Sequence, residues 1–394
     1  MSWVEGADEG PFGLDNLALG SAGGRCLVAI GDHALDATAA EGDGLRLGDG
    51  TVCAGGTWDA LIAAGPAAWA RLREALTEAL GGTDDALRPH LRPRAGLAHA
   101  MPWTVAEFTD FYAGRHHAEN VGTMFRGPEN ALPPNWLHMP IGYNGRASSV
   151  VISGTPVRRP WGQLKGPDDA MPRLAPSARF DFELELGAIV GVPSDRPLTA
   201  EEAEGHIFGY VLLNDWSARD IQAWEYQPLG PFQSKATATT VSPWIVMAAA
   251  LEPHRAPAPA RDVPLLPHLT SEKGAHDIDL TVTLTSEGGA PVEIALTNAG
   301  HLYYSAAQQL AHHSTCGCPM RAGDLLGSGT ISGPARGERG SMLELSWGGA
   351  EPLEVGGATR AFLEDGDTVS FSGAAHGRVG FGTCTGTVLP ARTA

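Results

Sequence analysis

Phe180-Asp-Phe-Glu-Leu-Glu-Leu186 alternates apolar and acidic residues without a break. A period of two marks a β-strand, with Phe180, Phe182, Leu184 and Leu186 on one face and Asp181, Glu183 and Glu185 on the other. The ordinary reading of such an acidic row is a solvated outer face. Carboxylates also mark other apolar runs, however. Gly209-Tyr-Val-Leu-Leu-Asn-Asp215 ends on Asp215, and Asp110 lies within Phe108-Thr-Asp-Phe-Tyr112. If Asp110, Glu183, Glu185 and Asp215 converge, they repel one another unless a cation neutralises them. An all-oxygen ligand set selects hard Ca²⁺ or Mg²⁺.

Beyond this segment the chain is rich in strands punctuated by Gly and Pro. Val150–Ser153, Ala178–Leu186, Gly209–Asn214, Asp277–Leu284, Met342–Ser346 and Thr368–Ser372 read as strands. Two helices are expected there, one opened by the capping pattern Thr199-x-x-Glu202 and one over Ala299–His313. Strands seldom alternate with helices, which disfavours a doubly wound parallel sheet. The first hundred residues read as a small separate unit with short β pieces at Arg25–Ile30 and Leu45–Leu47. An amphipathic helix follows, opened by Pro66, faced by Trp69, Leu72, Leu76 and Leu80, and stopped by Gly81-Gly82. The prolines of Arg88-Pro-His-Leu-Arg-Pro-Arg-Ala-Gly96 predict an extended connector. The expected organisation is a unit over 1–102 and a larger one over 103–394, in a mainly β (α+β) fold.

Composition excludes several functions. With 27 basic against 45 acidic residues the net charge is −18, which disfavours nucleic-acid binding through phosphate neutralisation. The longest apolar runs fall far below the ~18–20 residues of a membrane span. The acidic N-terminus lacks the layout of a signal peptide, and five cysteines make no disulfide scaffold. A cytoplasmic protein with no membrane or nucleic-acid partner is expected. Gly327-Ser-Gly329 followed by Gly333 misses the dinucleotide spacing by one residue, and no phosphate-binding Gly-Lys-Ser/Thr or Gly-x-Ser-x-Gly elbow occurs. Cys316-Gly-Cys318 beside His312-His313 fits no common zinc pattern. Only three of the 27 basic residues are lysines, Lys165, Lys235 and Lys273.

Several longer segments combine to a likeness. Phe12-Gly-Leu-Asp-Asn-Leu-Ala-Leu-Gly20, His117-Ala-Glu-Asn-Val-Gly-Thr-Met-Phe-Arg126, Asn135-Trp-Leu-His-Met-Pro-Ile-Gly-Tyr143, Asn214-Asp-Trp-Ser-Ala-Arg-Asp-Ile-Gln222, Trp224-Glu-Tyr-Gln-Pro-Leu-Gly-Pro-Phe232, Ser328-Gly-Thr-Ile-Ser-Gly333 and Gly340-Ser-Met-Leu-Glu-Leu-Ser-Trp347 together resemble the fumarylacetoacetase family almost end to end. The resemblance implies an N-terminal SH3-like barrel, a mixed C-terminal β-roll and a homodimer. It also implies cleavage of a carbon–carbon bond in a small dicarboxylate diketone, 4-fumarylacetoacetate, to fumarate and acetoacetate. Relatives in the wider superfamily, which hydrolyse acylpyruvates, are usually shorter and lack the N-terminal barrel; a non-catalytic Ca²⁺-binding β-module is the remote alternative.

By motif, the resemblance assigns the metal to Asp110, Glu183, Glu185 and Asp215, the set already raised by the strand pattern. A second, structural Mg²⁺ would lie near Asp215, Lys235 and Thr239, although Ala238 stands where the family usually has Gly. His117 would be the base that activates water, oriented by Glu344, while its neighbour His116 has no chemical role. Arg219, Gln222 and Lys235 would stabilise the developing alkoxide, and Tyr112, Arg126, Tyr143, Gln222, Tyr226 and Thr330 would hold the substrate. A histidine suits the base because its pKa lies near working pH. A compact ammonium at Lys235 suits an otherwise arginine-preferring chain.

Overall fold

Strand dominates the described chain, which in this computed structural model comprises every residue except Asp49, Asp84 and Ala394. The fold is mixed α+β. Its centre is an eight-stranded sheet ordered Gly142–Asn144, Phe108–Phe111, Leu325–Gly327, Leu184–Val190, Ile207–Asp215, Thr239–Val241 and Val150–Ile152, with Val246–Met247 alongside Ile207–Asp215. Two of its pairings are parallel, Leu325–Gly327 with Phe108–Phe111 and Thr239–Val241 with Val150–Ile152. A five-stranded sheet runs Val292–Asn298, Asp279–Thr285, Thr368–Ala375, Val379–Leu389 and Val157–Arg158. The two sheets meet across the larger core, where Phe182 lies edge-on to Phe371 and Trp216 donates to Thr240 Oγ1 at 2.8 Å.

The two central strands are buried on both faces, because a second core covers the side away from the five-stranded sheet. Ile189, Phe208, Val211 and Leu213 there join Trp69, Leu72, Leu76 and Leu80 of the Pro66–Leu80 helix. That helix starts and stops where its prolyl and glycyl ends predict. An antiparallel four-stranded sheet completes the N-terminal region: Leu19–Ala22, Arg25–Ile30, His33–Asp36 and Leu91–Pro93.

Five expectations need correction. Leu45–Leu47 forms no strand. The proline-rich connector does not merely link: Arg88–His90 is a 3₁₀ turn, and Leu91–Pro93 pairs with His33–Asp36. The sheet order makes it an edge strand, where proline is tolerated. The acidic segment is two strands, Phe180–Asp181 and Leu184–Val190, because the Phe182 N–H donates to the Asp181 carboxylate and leaves the ladder. Met342–Ser346 is not a strand but a helical turn over Met342–Leu345. Its alternation also suits one turn of helix, and Ser341 decides the matter by accepting the Glu344 N–H. The expected helix over Ala299–His313 begins as a separate 3₁₀ turn; its α-helical part is Ala306–Ser314, capped by Ser305. The Thr199 capping box forms as expected.

Ile189 is fully buried between the central sheet and the N-terminal helix. Ile189→Ala should therefore cost about 2–5 kcal/mol, the range for opening a core cavity, read as a lower urea midpoint at unchanged slope.

Candidate active site

Pairing register builds the site. Glu183 and Asp215 are cross-strand neighbours, with the Asp215 N–H bonded to the Glu183 carbonyl, and Glu185 stands opposite Leu213. On the other edge, Gly187 pairs with Gly327 and Gly327 with Asp110. Asp110, Glu185 and Asp215 thus bring one carboxylate oxygen each within 4.8 Å of one another, all three residues buried. The acidic row is not a solvated face: Asp181, Glu183 and Glu185 are at most 5% exposed.

Two cations divide these acids. Arg219 reaches Asp181 at 2.8 Å and Glu183 at 2.6 Å, and Lys235 reaches Glu183 at 2.6 Å and Asp215 at 2.7 Å. Burial opposes ionisation of Glu183, yet Lys235, Arg219 and His117 hold its carboxyl well below the usual range. Asp110 and Glu185 behave oppositely. Burial, reinforced by the neighbouring carboxylates, pushes both well above it.

A divalent cation fits this chemistry. Asp110 Oδ1 and Glu185 Oε1 are buried with no hydrogen-bond partner, although a buried carboxylate oxygen requires one. Five buried carboxylates face only two cationic side chains here, an excess of negative charge that a dication offsets. The backbone leaves room: a Cβ on Gly327 would stand 2.5 Å from Asp110 Oδ1 and 3.0 Å from Glu185 Oε2. Gly329, at φ +75°, donates its N–H to Glu185 Oε2 at 2.9 Å. Neither the failed nucleotide spacing of Gly327-Ser-Gly329 nor the Ser328–Gly333 likeness signals these two glycines as part of the site.

Beside the acids lies a cavity of about 350 Å³. Asp110, Glu183, His117, Arg219, Gln222 and Lys235 line it, with Tyr112, Arg126, Tyr143 and Tyr226. His117 is in the first turn of the Arg115–Arg126 helix, and its Nδ1 lies 2.6 Å from Glu344 Oε2. Glu344 also accepts from Asn120, Ser332 and Ser341, and is fully buried. Burial works against its charge, but His117 and the hydroxyl and amide donors hold the carboxyl below its ordinary range. His116 packs instead against His301, ring centroids 5.8 Å apart.

The remaining expected residues are placed less uniformly. Tyr143 donates to Asp215 Oδ2 at 3.3 Å, and Thr239 Oγ1 lies 3.4 Å from Asp215 Oδ1. Gln222 accepts from Arg219 Nη1 at 3.2 Å. Arg126 donates to the carbonyls of Asn130 and Ala131 at the cavity rim. Thr330 is buried behind the wall rather than on it, its hydroxyl without a partner. Glu225, within the Trp224–Phe232 segment but given no role there, accepts three backbone N–H groups from Phe232, Gln233 and Ser234, and so clasps the turn that carries Lys235.

Two family models match the chain, Fumarylacetoacetate (FAA) hydrolase C-terminal over residues 107–389 and Fumarylacetoacetase N-terminal over residues 11–102. The chain belongs to the fumarylacetoacetate hydrolase family. It is 46% identical over 421 residues to the fumarylacetoacetase of Homo sapiens, covering 99% of each chain. Over 413 residues it is 45% identical to that of Arabidopsis thaliana, with 99% of this chain and 98% of the relative covered. Among solved structures, the fold is shared with fumarylacetoacetate hydrolase from Exiguobacterium antarcticum, at TM-score 0.55 and 19% identity over 96% of this chain and 99% of that one. It is shared also with maleylpyruvate hydrolase from Sphingobium sp. SYK-6, at TM-score 0.54 and 18% identity over 95% and 99%.

Three outcomes are expected of this acidic cradle. Gly327→Ala, which drives a methyl into Asp110 and Glu185, should abolish binding of Mg²⁺ and Ca²⁺ in calorimetric titration while circular dichroism stays native. In the wild type, raised carboxyl pKa values mean that protons stay bound where free carboxyls have lost them. Cation binding must then release protons and tighten as pH rises. Titrations in buffers of different ionisation enthalpy will read that release. At these two carboxyls the cation-free fold holds protons that the unfolded chain has lost, so their contribution to stability should fall as pH rises above the ordinary carboxyl range, and added cation should offset the loss.

Proposed function

We propose that the protein hydrolyses the carbon–carbon bond of 4-fumarylacetoacetate, giving fumarate and acetoacetate. The observation that carries this reading is one cavity bordered by a buried carboxylate cluster on one side and the His117–Glu344 pair on the other. End-to-end likeness to fumarylacetoacetases supports the substrate. We further read 1–102 as the family's SH3-like barrel and 103–394 as its catalytic β-roll, paired as a homodimer in the cytoplasm. Five free cysteines suit a reducing compartment.

The reaction sets two tasks: water must become nucleophilic near neutral pH, and the leaving carbanion must be delocalised as an enolate. Ca²⁺ or Mg²⁺ held by Asp110, Glu183, Glu185 and Asp215 supplies a Lewis acid for the substrate's 1,3-dioxygen unit. The protein's own residues do the rest. Glu344 is ionised and accepts only, so the neutral His117 ring carries its proton on Nδ1 and offers Nε2 to the attacking water. His117 takes that proton as the C–O bond forms. It returns the proton to the enolate carbon when the C–C bond breaks, so the sum of the reaction is one water added.

Charge developing on the attacked carbonyl oxygen needs fixed donors. Lys235 spends two of its three N–H groups on Glu183 and Asp215, and Arg219 keeps Nη2 without a protein partner. Buried carboxylates hold both of these donors, and Gln222 lies beside them, accepting from Arg219 Nη1. Tyr112, Arg126, Tyr143 and Tyr226, which line the cavity, are assigned to the substrate's carboxylates and oxygens; Thr330 does not line it and is left out of that set. A second, structural Mg²⁺ would lie near Asp215, Lys235 and Thr239, held through oxygen atoms and not through the Lys235 ammonium, which donates to Asp215.

Loss of the diketone's ultraviolet absorbance tests the reading. Fumarylacetoacetate should be consumed faster than acetylpyruvate, and exhaustive chelation should stop the reaction reversibly; full activity without metal would refute it. His117→Ala should lower kcat by about 10²–10⁴-fold, whereas His116→Ala should change it little. Glu344→Gln should lower kcat with little change in KM, and the His117→Ala/Glu344→Gln double variant should be no slower than His117→Ala alone. Multiplicative losses would separate the two residues.

A further inference from the structure

Asp181 is the one acid of the alternating strand that neither lines the cavity nor joins the carboxylate cluster. It is fully buried, and its two oxygens accept four hydrogen bonds. Oδ1 takes the N–H groups of Phe182 and Met342, both at 2.7 Å. Oδ2 takes the Leu343 N–H at 3.0 Å and Arg219 Nε at 2.8 Å. These donors belong to three separate segments: the acidic strand itself, the Arg219–Glu225 helix and the Met342–Leu345 turn. Glu344, the partner of His117, directly follows Leu343. Three segments that carry Glu183, Arg219 and Glu344 therefore meet on one carboxylate.

We infer that Asp181 is a positioning residue that locks the Arg219 side of the cavity to the His117–Glu344 side. Arg219 is gripped at two edges, Nε by Asp181 and Nη1 by Glu183, so its planar fork has one orientation and Nη2 points where no protein acceptor exists. The Glu344 turn is only four residues long; its later N–H groups bond within it, Leu345 to Ser341 and Ser346 to Met342, which leaves the first two to an outside acceptor. Its first two N–H groups end on Asp181, so the carboxylate sets the height of that turn and hence the reach of Glu344 to His117. Only a carboxylate can do this. Asn keeps the shape but replaces one acceptor oxygen with an NH₂ that would face a donor at either end.

The catalytic consequence rests on the function proposed above; the positioning does not, and the two can be read separately. The low-field proton NMR resonance of His117 Nδ1–H in the Mg²⁺-loaded protein, assigned by its loss in His117→Ala, reports the His117–Glu344 contact without any substrate. Asp181→Asn should shift or broaden it. Asp367→Asn is the control, since Asp367 is equally buried and bonded to Arg360 and the Glu364 N–H, but lies outside the cavity. That variant should leave the resonance and kcat in place. With fumarylacetoacetate, Asp181→Asn should lower kcat about 10–100-fold, the usual scale for supporting hydrogen bonds, with KM within about threefold. Arg219→Lys provides a second route if Asp181→Asn does not fold. It keeps the charge but releases the fork, and the His117 resonance should move although Arg219 bonds to Asp181, Glu183 and Gln222 rather than to His117 or Glu344. An unmoved resonance in both variants, or an equal shift in Asp367→Asn, would overturn the inference. Inactive wild-type enzyme with a resonance that responds as expected would instead count against the substrate.

Discussion

A buried chain of alternating charges organises this protein: Asp181, Arg219, Glu183, Lys235 and Asp215, joined by contacts of 2.6–2.8 Å. Each ion is nearly or fully out of water, so none is tolerable without its neighbours. Removing one partner of such a pair strands a buried charge, commonly at a cost of about 3–5 kcal/mol. The chain therefore dictates which segments sit together: the acidic strand, the end of Ile207–Asp215, the Arg219 helix and the Lys235 turn. Asp110 and Glu185 extend it with two carboxyls that make no ion pair among the described residues, and there a cation fits.

Backbone geometry makes this concentration of charge feasible. Antiparallel register places Glu183 against Asp215, while Gly187 and Gly327 carry the row across to Asp110. A side chain at Gly327 would fill the space the carboxylates share. The same Gly-Ser-Gly segment that fails as a nucleotide motif thus works as the floor of a cation cradle, with Gly329 adding an N–H to Glu185. Burial by the N-terminal helix on one side and the five-stranded sheet on the other keeps water from screening the site.

The His117–Glu344 pair obeys a different logic. Four donors on one buried carboxylate leave it no reason to accept a proton. That fixes which nitrogen of His117 is free, without any help from the charge chain. Asp181 is the link between the two arrangements, its Oδ2 shared by Arg219 Nε and the Leu343 N–H.

Much of this was legible in the sequence. Period-two alternation placed Asp181, Glu183 and Glu185 on one face, and the apolar run before Asp215 marked a strand ending in a carboxylate. Capping and breaker residues located the Thr199 and Pro66 helices. Motif likeness, rather than spacing, singled out His117 among 14 histidines. What sequence could not decide was everything that depends on a second covering layer or on a partner far along the chain. An alternating acidic strand looks the same whether its polar face meets water or a second core. Met342-Leu-Glu-Leu suits a strand or a helical turn equally, and the choice fell to Ser341 and to Asp181, 161 residues away. Gly327 gained its meaning only when parallel pairing set it beside Asp110. Local pattern determines which faces a segment has, because side-chain direction follows from backbone period; only tertiary structure determines what each face meets, because burial and charge balance are set by distant segments.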